Sequence, residues 1–188
     1  MASTTSAATH APLLAAIQAR RSIYAQGKRQ ILTDEAVTSL VKAIVKDSPS
    51  AFNSQSSRVA ILFGKQHEKY WNEYAPEIYG KVAGPEALAK QQKRLEAFAG
   101  ATGTVLFFED DASLEASAKR NPGVASQFSP WSLQSSGIAQ GNVWNALTAA
   151  GYGANLQHVI PSTSPLAAAE LLKLPATWRI HAELVFGS

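Results

Sequence analysis

Residues 103–110, Gly-Thr-Val-Leu-Phe-Phe-Glu-Asp, carry the clearest structural signal in the chain. Val105 to Phe108 form a short run of β-branched, aliphatic and aromatic side chains, opened by a glycine and closed by Glu109 and Asp110. With that β-branched and aromatic content, Gly103 to Glu109 reads as the clearest strand in the chain, closed by an acidic turn.

Working outward, Arg58 to Gly64 reads as another buried strand, with Val59, Ile61, Leu62 and Phe63. Polar-faced helices are predicted at His67 to Tyr79 and Pro85 to Ala99, separated by the Gly84-Pro85 breaker. Upstream, Thr33-Asp34-Glu35 caps a helix in which Val37, Leu40, Val41, Ile44 and Val45 recur at helical spacing, and Ser48-Pro49-Ser50 stops it. A short amphipathic helix bearing Leu13, Leu14, Ile17 and Gln18 runs into Arg20-Arg21-Ser22.

Downstream come a weaker helix at Ser113 to Lys119, a turn at Asn121-Pro122-Gly123, and a loop holding Phe128, Pro130 and Trp131. A long helix follows, about Leu133 to Ala150. Ala154 to Val159 and Arg179 to Phe186 supply two more strands, with a helix at Pro165 to Leu172 between them. This order suits one sheet with helices on both faces, and the paired helices argue against simple alternating βαβ winding.

At 188 residues, with 46% of them apolar and 16% charged, the chain is expected to fold as one ordinary domain. Without cysteine it has no disulfides, no thiolate metal site and no cysteine nucleophile, so redox chemistry would need a cofactor. The longest apolar runs fall far short of the ~20 residues of a membrane span, so no membrane partner is expected. Met1 to Ala11 lacks the basic start and apolar stretch of a signal peptide. It reads as a flexible leader, residues 1–11, before a single domain at 12–188 of a cytoplasmic protein.

Charge is uneven: residues 1–94 hold 13 Lys/Arg against 7 Asp/Glu, and residues 95–188 hold 4 against 7. The basic residues are scattered over several helical patterns without an interleaved aromatic stripe, which argues against a nucleic-acid partner. A small anionic ligand is the simpler explanation. Arg20-Arg21-Ser22 offers two guanidinium forks and a hydroxyl to one phosphate, although a solvated helix end favoured by the macrodipole is the plain alternative.

Ser48 to Ser56 is dense in small hydroxyl and amide side chains; it is either a polar loop or a surface that reads polyol and ring edges. Leu156-Gln157-His158-Val159 lies at a strand exit, where ligand loops tend to sit. Taken alone, His158 reads as a satisfied structural histidine. Gly151-Tyr152-Gly153 follows a helix and precedes a strand, the wrong order for a dinucleotide fingerprint, so Gly151 is expected to be a helix C-cap. Gly137 and Gly141, four apart in the long helix, should have a packing reason, since each costs ~1 kcal/mol in propensity. The four histidines have no HExxH spacing and no metal is expected; no G-x-S-x-G elbow supports a serine hydrolase.

Taken in order, Arg20-Arg21-Ser22-Ile23-Tyr24, Ser48 to Arg58, Gly103 to Asp110, Trp131-Ser132 and Gly151 to His158 resemble the flavin-dependent nitroreductase family. The likeness is strongest to its compact fatty-acid-repression-mutant-like branch and spans about Leu13 to Gly187. The resemblance implies an α+β fold: a three-layer sandwich whose central mixed, mostly antiparallel sheet is flanked by helices. It also implies a homodimer with FMN at the subunit interface, NADH or NADPH as electron donor, and ping-pong reduction of a small nitroaromatic or quinone acceptor.

By that resemblance Arg20, Arg21 and Ser22 hold the FMN phosphate. Pro49, Ser50, Asn53 and Gln55 contact the ribityl chain and ring from the other subunit, and Leu156, Gln157, His158 and Val159 lie along the ring. Phe52, Phe128 and Trp131 are candidate walls of the acceptor pocket. Tyr24 stands where many relatives carry a basic residue, and many continue past Gly187 with a further phosphate-contacting cation, for which Lys90 or Arg94 could compensate. No side chain stands out as acid, base or nucleophile, as expected where a flavin carries the hydride. A flavin-binding redox or lipid-metabolism regulator with little turnover is the alternative.

Overall fold

The computed structural model describes residues 11–188, so the leader expected at 1–11 lies, but for Ala11, outside the described residues. Strand β2, Gly103–Asp110, is buried at every position except its last, as its unbroken apolar run requires. It pairs antiparallel with β1, Ser57–Phe63, on one side and with β4, Trp178–Gly187, on the other. Strand β3, Gly153–Gln157, pairs antiparallel with β4 and completes a sheet of order β1-β2-β4-β3. All three strand pairs are antiparallel, and the parallel element is an isolated bridge between Ser22 and Ala154 that joins the early chain to the β3 edge.

Side chains of β2 alternate between two cores. Leu106 and Phe108 pack with Tyr70, Trp71, Ile78, Leu95 and Phe98, carried by α3 (Gly64–Lys69), a wider turn at Tyr70–Tyr74, α4 (Ala75–Ala83) and α5 (Pro85–Ala99). Val105 and Phe107 pack with Val37 and Val41 of α2 (Asp34–Asp47) and with Val143 and Leu147 of α7 (Phe128–Ala149). Helix α1, Ala11–Ala19, lies against α7; α6, Asp111–Arg120, follows β2; and α8, Ala167–Leu171, packs beside β4. This is the three-layer α+β sandwich.

Most expected elements lie within a few residues of their predicted bounds. One difference is the start of α7 at Phe128, which places Phe128, Pro130 and Trp131 in the helix rather than in a loop. Pro130 is compatible because the first turn has no need of its N–H. Gly151 does end α7 in the left-handed region, φ 97°, with its N–H bonded to the Thr148 carbonyl and that of Tyr152 to the Leu147 carbonyl.

In β4 the register with β2 shifts between Phe107 and Phe108, whose partners are Ala182 and Ile180. The extra residue is His181. It turns Ile180 to one core and Ala182, Leu184 and Phe186 to the other, which a regular strand could not do. The wider turn at Tyr70–Tyr74 likewise lets the adjacent Tyr70 and Trp71 both be fully buried. Beneath them, His67 Nε2 bonds the Phe98 carbonyl at 2.9 Å, and Trp71 Nε1–H donates to Thr104 Oγ1, which lies 3.0 Å from His67 Nδ1. That set satisfies a neutral ring, and burial pushes His67 down to about 4.

Three further ionisable groups lie in or against the cores. Burial pushes Glu183 and Glu109 up to about 7, and pushes His181 down to about 4. Neither oxygen of Glu109 has a partner among the described residues, the nearby Ser56 hydroxyl falling outside hydrogen-bond geometry. A carboxyl raised on folding from 4.5 to about 7 withdraws stability as pH climbs through that interval. A histidine lowered from 6.5 to about 4 withdraws it as pH falls through that range. We therefore expect Glu109→Gln to stabilise the fold at pH 8 by about 1–3 kcal/mol and to leave it nearly unchanged at pH 5. Thermal melts at the two pH values check this; an equal shift at both would contradict it.

Candidate functional site

The segment after α1 is pinned to the outer edge of β3. Ile23 N–H donates to the Ala154 carbonyl at 3.0 Å, and Asn155 Nδ2 donates to the Ile23 carbonyl at 2.8 Å. Gly153 makes this approach possible, since a Cβ there would stand 2.8 Å from Ile23 Cγ2. Polar side chains extend the link: Gln26 Nε2 donates to the Gly153 carbonyl, Gln157 Nε2 to Asn155 Oδ1 at 2.8 Å, and Arg94 to Gln157 Oε1.

Arg20, Arg21 and Ser22 are thereby held beside the start of β3. Arg20 is half-buried with its guanidinium 4.6 Å over the Trp144 ring, an arrangement that occupies one face of the fork and leaves its in-plane N–H groups for an acceptor. Arg21 and Ser22 are exposed. Ser22 is level with Ala154, and Gln157 is three residues further on, about 10 Å at strand spacing.

At the end of β3 a polar cleft of about 320 Å³ is lined by Leu156, Gln157, His158, Val159, Arg94 and Tyr79, among others. Strand β3 thus brings together the two groups predicted at Arg20–Ser22 and Leu156–Val159. His158 is an exposed wall of the cleft rather than a satisfied core residue. Arg94 stands at this end of the strand, beside Gln157, and not at the Arg20–Ser22 end. Its place was not readable locally, because the contact joins α5 to β3 across 63 positions.

The third predicted group lies elsewhere. Pro49, Ser50, Asn53 and Gln55 occupy the loop leading into β1, the opposite edge of the sheet, with β2 and β4 between. Three inter-strand steps separate the edges by about 14 Å. The loop holds three non-glycine residues in the left-handed region, Phe52 (φ 51°), Asn53 (φ 50°) and Gln55 (φ 49°). Ser50 Oγ accepts the Gln55 N–H at 2.9 Å, and Arg58 Nη1 donates to the Gln55 carbonyl at 2.7 Å, so both ends of the strained stretch are tied.

Phe52 stacks on Trp131 with centroids 5.8 Å apart, and together with Pro49, Ser50, Gln134 and Ile138 they line an apolar groove of about 340 Å³. Phe128 is buried behind both rings and supports them from below.

The fold and this pair of clefts define a class. The model of the Nitroreductase family matches residues 17–188, and the chain belongs to that family. It is 38% identical over 181 residues to HBN1 of Saccharomyces cerevisiae, which covers 95% of this chain and 88% of that one. The nitroreductase CinD from Lactococcus lactis, solved in complex with chloramphenicol, superposes with a TM-score of 0.81 at 39% identity over 94% of this chain and 88% of its own. A Desulfovibrio desulfuricans structure in complex with FMN, 22% identical over 94% of this chain and 85% of its own, shares the fold at a TM-score of 0.63. The chain is therefore of an oxidoreductase family, with the nitroreductase fold.

Relieving the strained loop should be measurable. Gln55→Gly is expected to raise stability by about 1 kcal/mol, and Gln55→Val to lower it by at least as much, in equilibrium urea unfolding. Equal stability of the two variants would contradict the left-handed assignment.

Proposed function

We propose that the chain is an FMN-dependent NAD(P)H oxidoreductase that works as a homodimer and reduces small nitroaromatic or quinone-type acceptors. The observation that carries this reading is the division of the site: a basic strand edge with a polar cleft on one side of the sheet, and an aromatic groove with a strained polar loop on the other. Within a chain the two lie on opposite edges of the sheet with β2 and β4 between them, and two copies could each complete the other's site.

The residues suit FMN. Arg20, Arg21 and Ser22 match a phosphate, the run of β3 to Gln157 matches the length of a ribityl chain, and the polar cleft walled by Gln157, His158 and Val159 suits a heteroaromatic edge. Ser50, Asn53 and Gln55 would approach from the second copy. The bound flavin would supply hydride transfer, taken from NADH or NADPH and passed to the acceptor in alternation. The protein would supply orientation, and Phe52 and Trp131 a wall on which a flat acceptor stacks. CinD, solved with chloramphenicol and with 4-nitrophenol, accommodates ligands of this shape.

A second copy also accounts for surface that one chain leaves uncovered. Among the described residues α1 buries none of its own, and Leu13 is 61% exposed. On α7, Leu133 and Ile138 are exposed, and nothing described lies within 4 Å of a Cβ built at Gly137 or Gly141. The packing reason expected for those glycines would be a neighbouring subunit.

The purified protein should show a flavin spectrum that NAD(P)H bleaches under anaerobic conditions. Protein that cannot be reconstituted with FMN overturns the reading, and bound FMN that neither nicotinamide reduces favours the regulator instead. Arg20→Ala should weaken FMN binding about 10- to 100-fold, the loss expected for charge-assisted bonds to a phosphate. Asn53→Gly, which removes the amide but keeps the left-handed backbone accessible, should lower affinity without lowering the melting temperature. Unchanged FMN retention in Arg20→Ala would remove the phosphate assignment.

A further inference from the structure

We propose that Glu183 is a positioning residue of the cofactor site, fixing from within the core the turn that floors the cleft at the end of β3. The proposal rests on the FMN reading above and adds to it a residue that touches no ligand.

Glu183 is fully buried at the centre of β4, across from Leu106 on one side and Gln157 on the other. A carboxyl in such a place costs several kcal/mol unless hydrogen bonds answer it, and an aliphatic side chain would fill the space without that cost. Three donors meet it. Val159 N–H donates to Oε2 at 2.6 Å, Ile160 N–H to Oε1 at 3.2 Å, and Tyr70 Oη–H to Oε1 at 2.7 Å.

Two of the three are consecutive backbone amides of the segment that leaves β3. They cause the strand to stop at Gln157: the chain bends inward so that Val159 and Ile160 reach the carboxylate. The carbonyls of the same turn are answered from the other side, those of His158 and Val159 by Ser162 Oγ and those of Val159 and Ile160 by Thr163 Oγ1. A turn held at both its donors and its acceptors has one conformation. Its outer face presents Gln157, His158 and Val159 to the cleft, while its Val159 and Ile160 N–H groups are withheld from any ligand.

Tyr70, from the wide turn between α3 and α4, is the titratable side chain facing Glu183, and no cation among the described residues bears on it. β2 presents Leu106 and β3 the neutral Gln157. Burial first, against the pull of the three donors, brings its pKa up to about 7. Protonation removes an acceptor from the turn, so the cleft should be best formed with the carboxylate ionised.

The test uses full-length protein with riboflavin as probe, which lacks the phosphate that would titrate in the same range, in a His158→Gln background that removes the imidazole on the outer face. Affinity should rise from pH 6 to pH 8 in this background. Adding Glu183→Gln should weaken riboflavin binding about ten-fold or more at pH 8 and flatten the profile. Should Glu183→Gln fail to fold, Tyr70→Phe decides, because it keeps the carboxylate and both amide bonds: it should move the midpoint of the profile to higher pH. An unmoved midpoint overturns the proposal.

Amide hydrogen exchange on flavin-free protein separates this proposal from the FMN reading. Val159 and Ile160 should be protected, and Glu183→Gln should release them at least about ten-fold while Leu106 stays protected. Unchanged exchange at Val159 and Ile160 overturns the role given to Glu183. Absence of any flavin binding by the unsubstituted chain overturns the functional reading, with the exchange result still deciding what fixes the turn.

Discussion

The pairing of β2 with β4 is the constraint on which the rest depends, because each strand serves both cores at once. Val105 and Phe107 face α2 and α7 while Leu106 and Phe108 face the α3–α5 layer, and β4 repeats the division across the bulge at His181. Neither helical layer could find its apolar partner if the two strands slipped by one residue, since every side chain would change faces. The same pairing carries Glu183 into the inner core and presents β3 as an edge. Both halves of the cleft at Gln157 therefore follow from it: the strand that ends there, and the carboxylate to which the next two amides donate.

Edge position is what makes β3 useful. A central strand has no backbone groups to spare, but β3 accepts the Ile23 segment along its open side and so aligns Arg20, Arg21 and Ser22 with its own direction. The loop before β1 exploits the other edge. There the backbone is held in unfavourable left-handed geometry by Ser50 and Arg58, an expense in stability that a plain connection would avoid. Candidate binding surfaces at two opposite rims of one sheet leave the apolar packing between the helical layers uninterrupted.

Much of this was legible because it is written in local signals. The apolar run at 105–108, the breaker at Gly84-Pro85 and the cap at Gly151 each determine structure through neighbouring residues alone. The clustering of Arg20–Ser22 with Leu156–Val159 was legible only through resemblance, since the contact spans more than 130 positions and rests on the missing Cβ of Gly153. What could not be read were features with no local cause. Nothing near Glu183 or Glu109 announces burial, and the alternation that places Glu183 inward depends on the bulge two residues earlier. Tyr70 and Trp71 are adjacent, so a regular helix would have turned one of them outward.

That bulge behaves like a reading frame. Deleting His181 itself would set Ile180 beside Ala182, opposite the adjacent Phe108 and Phe107, and keep both cores, whereas inserting a residue beyond it, between Glu183 and Leu184, would turn one side of the strand to the wrong face, as a frameshift garbles everything to one side of it. Loops such as 173–177 can absorb a change of length by bending. Elsewhere within 178–187 a substitution alters one contact, whereas a gain or loss of a single position exchanges the lining of two cores.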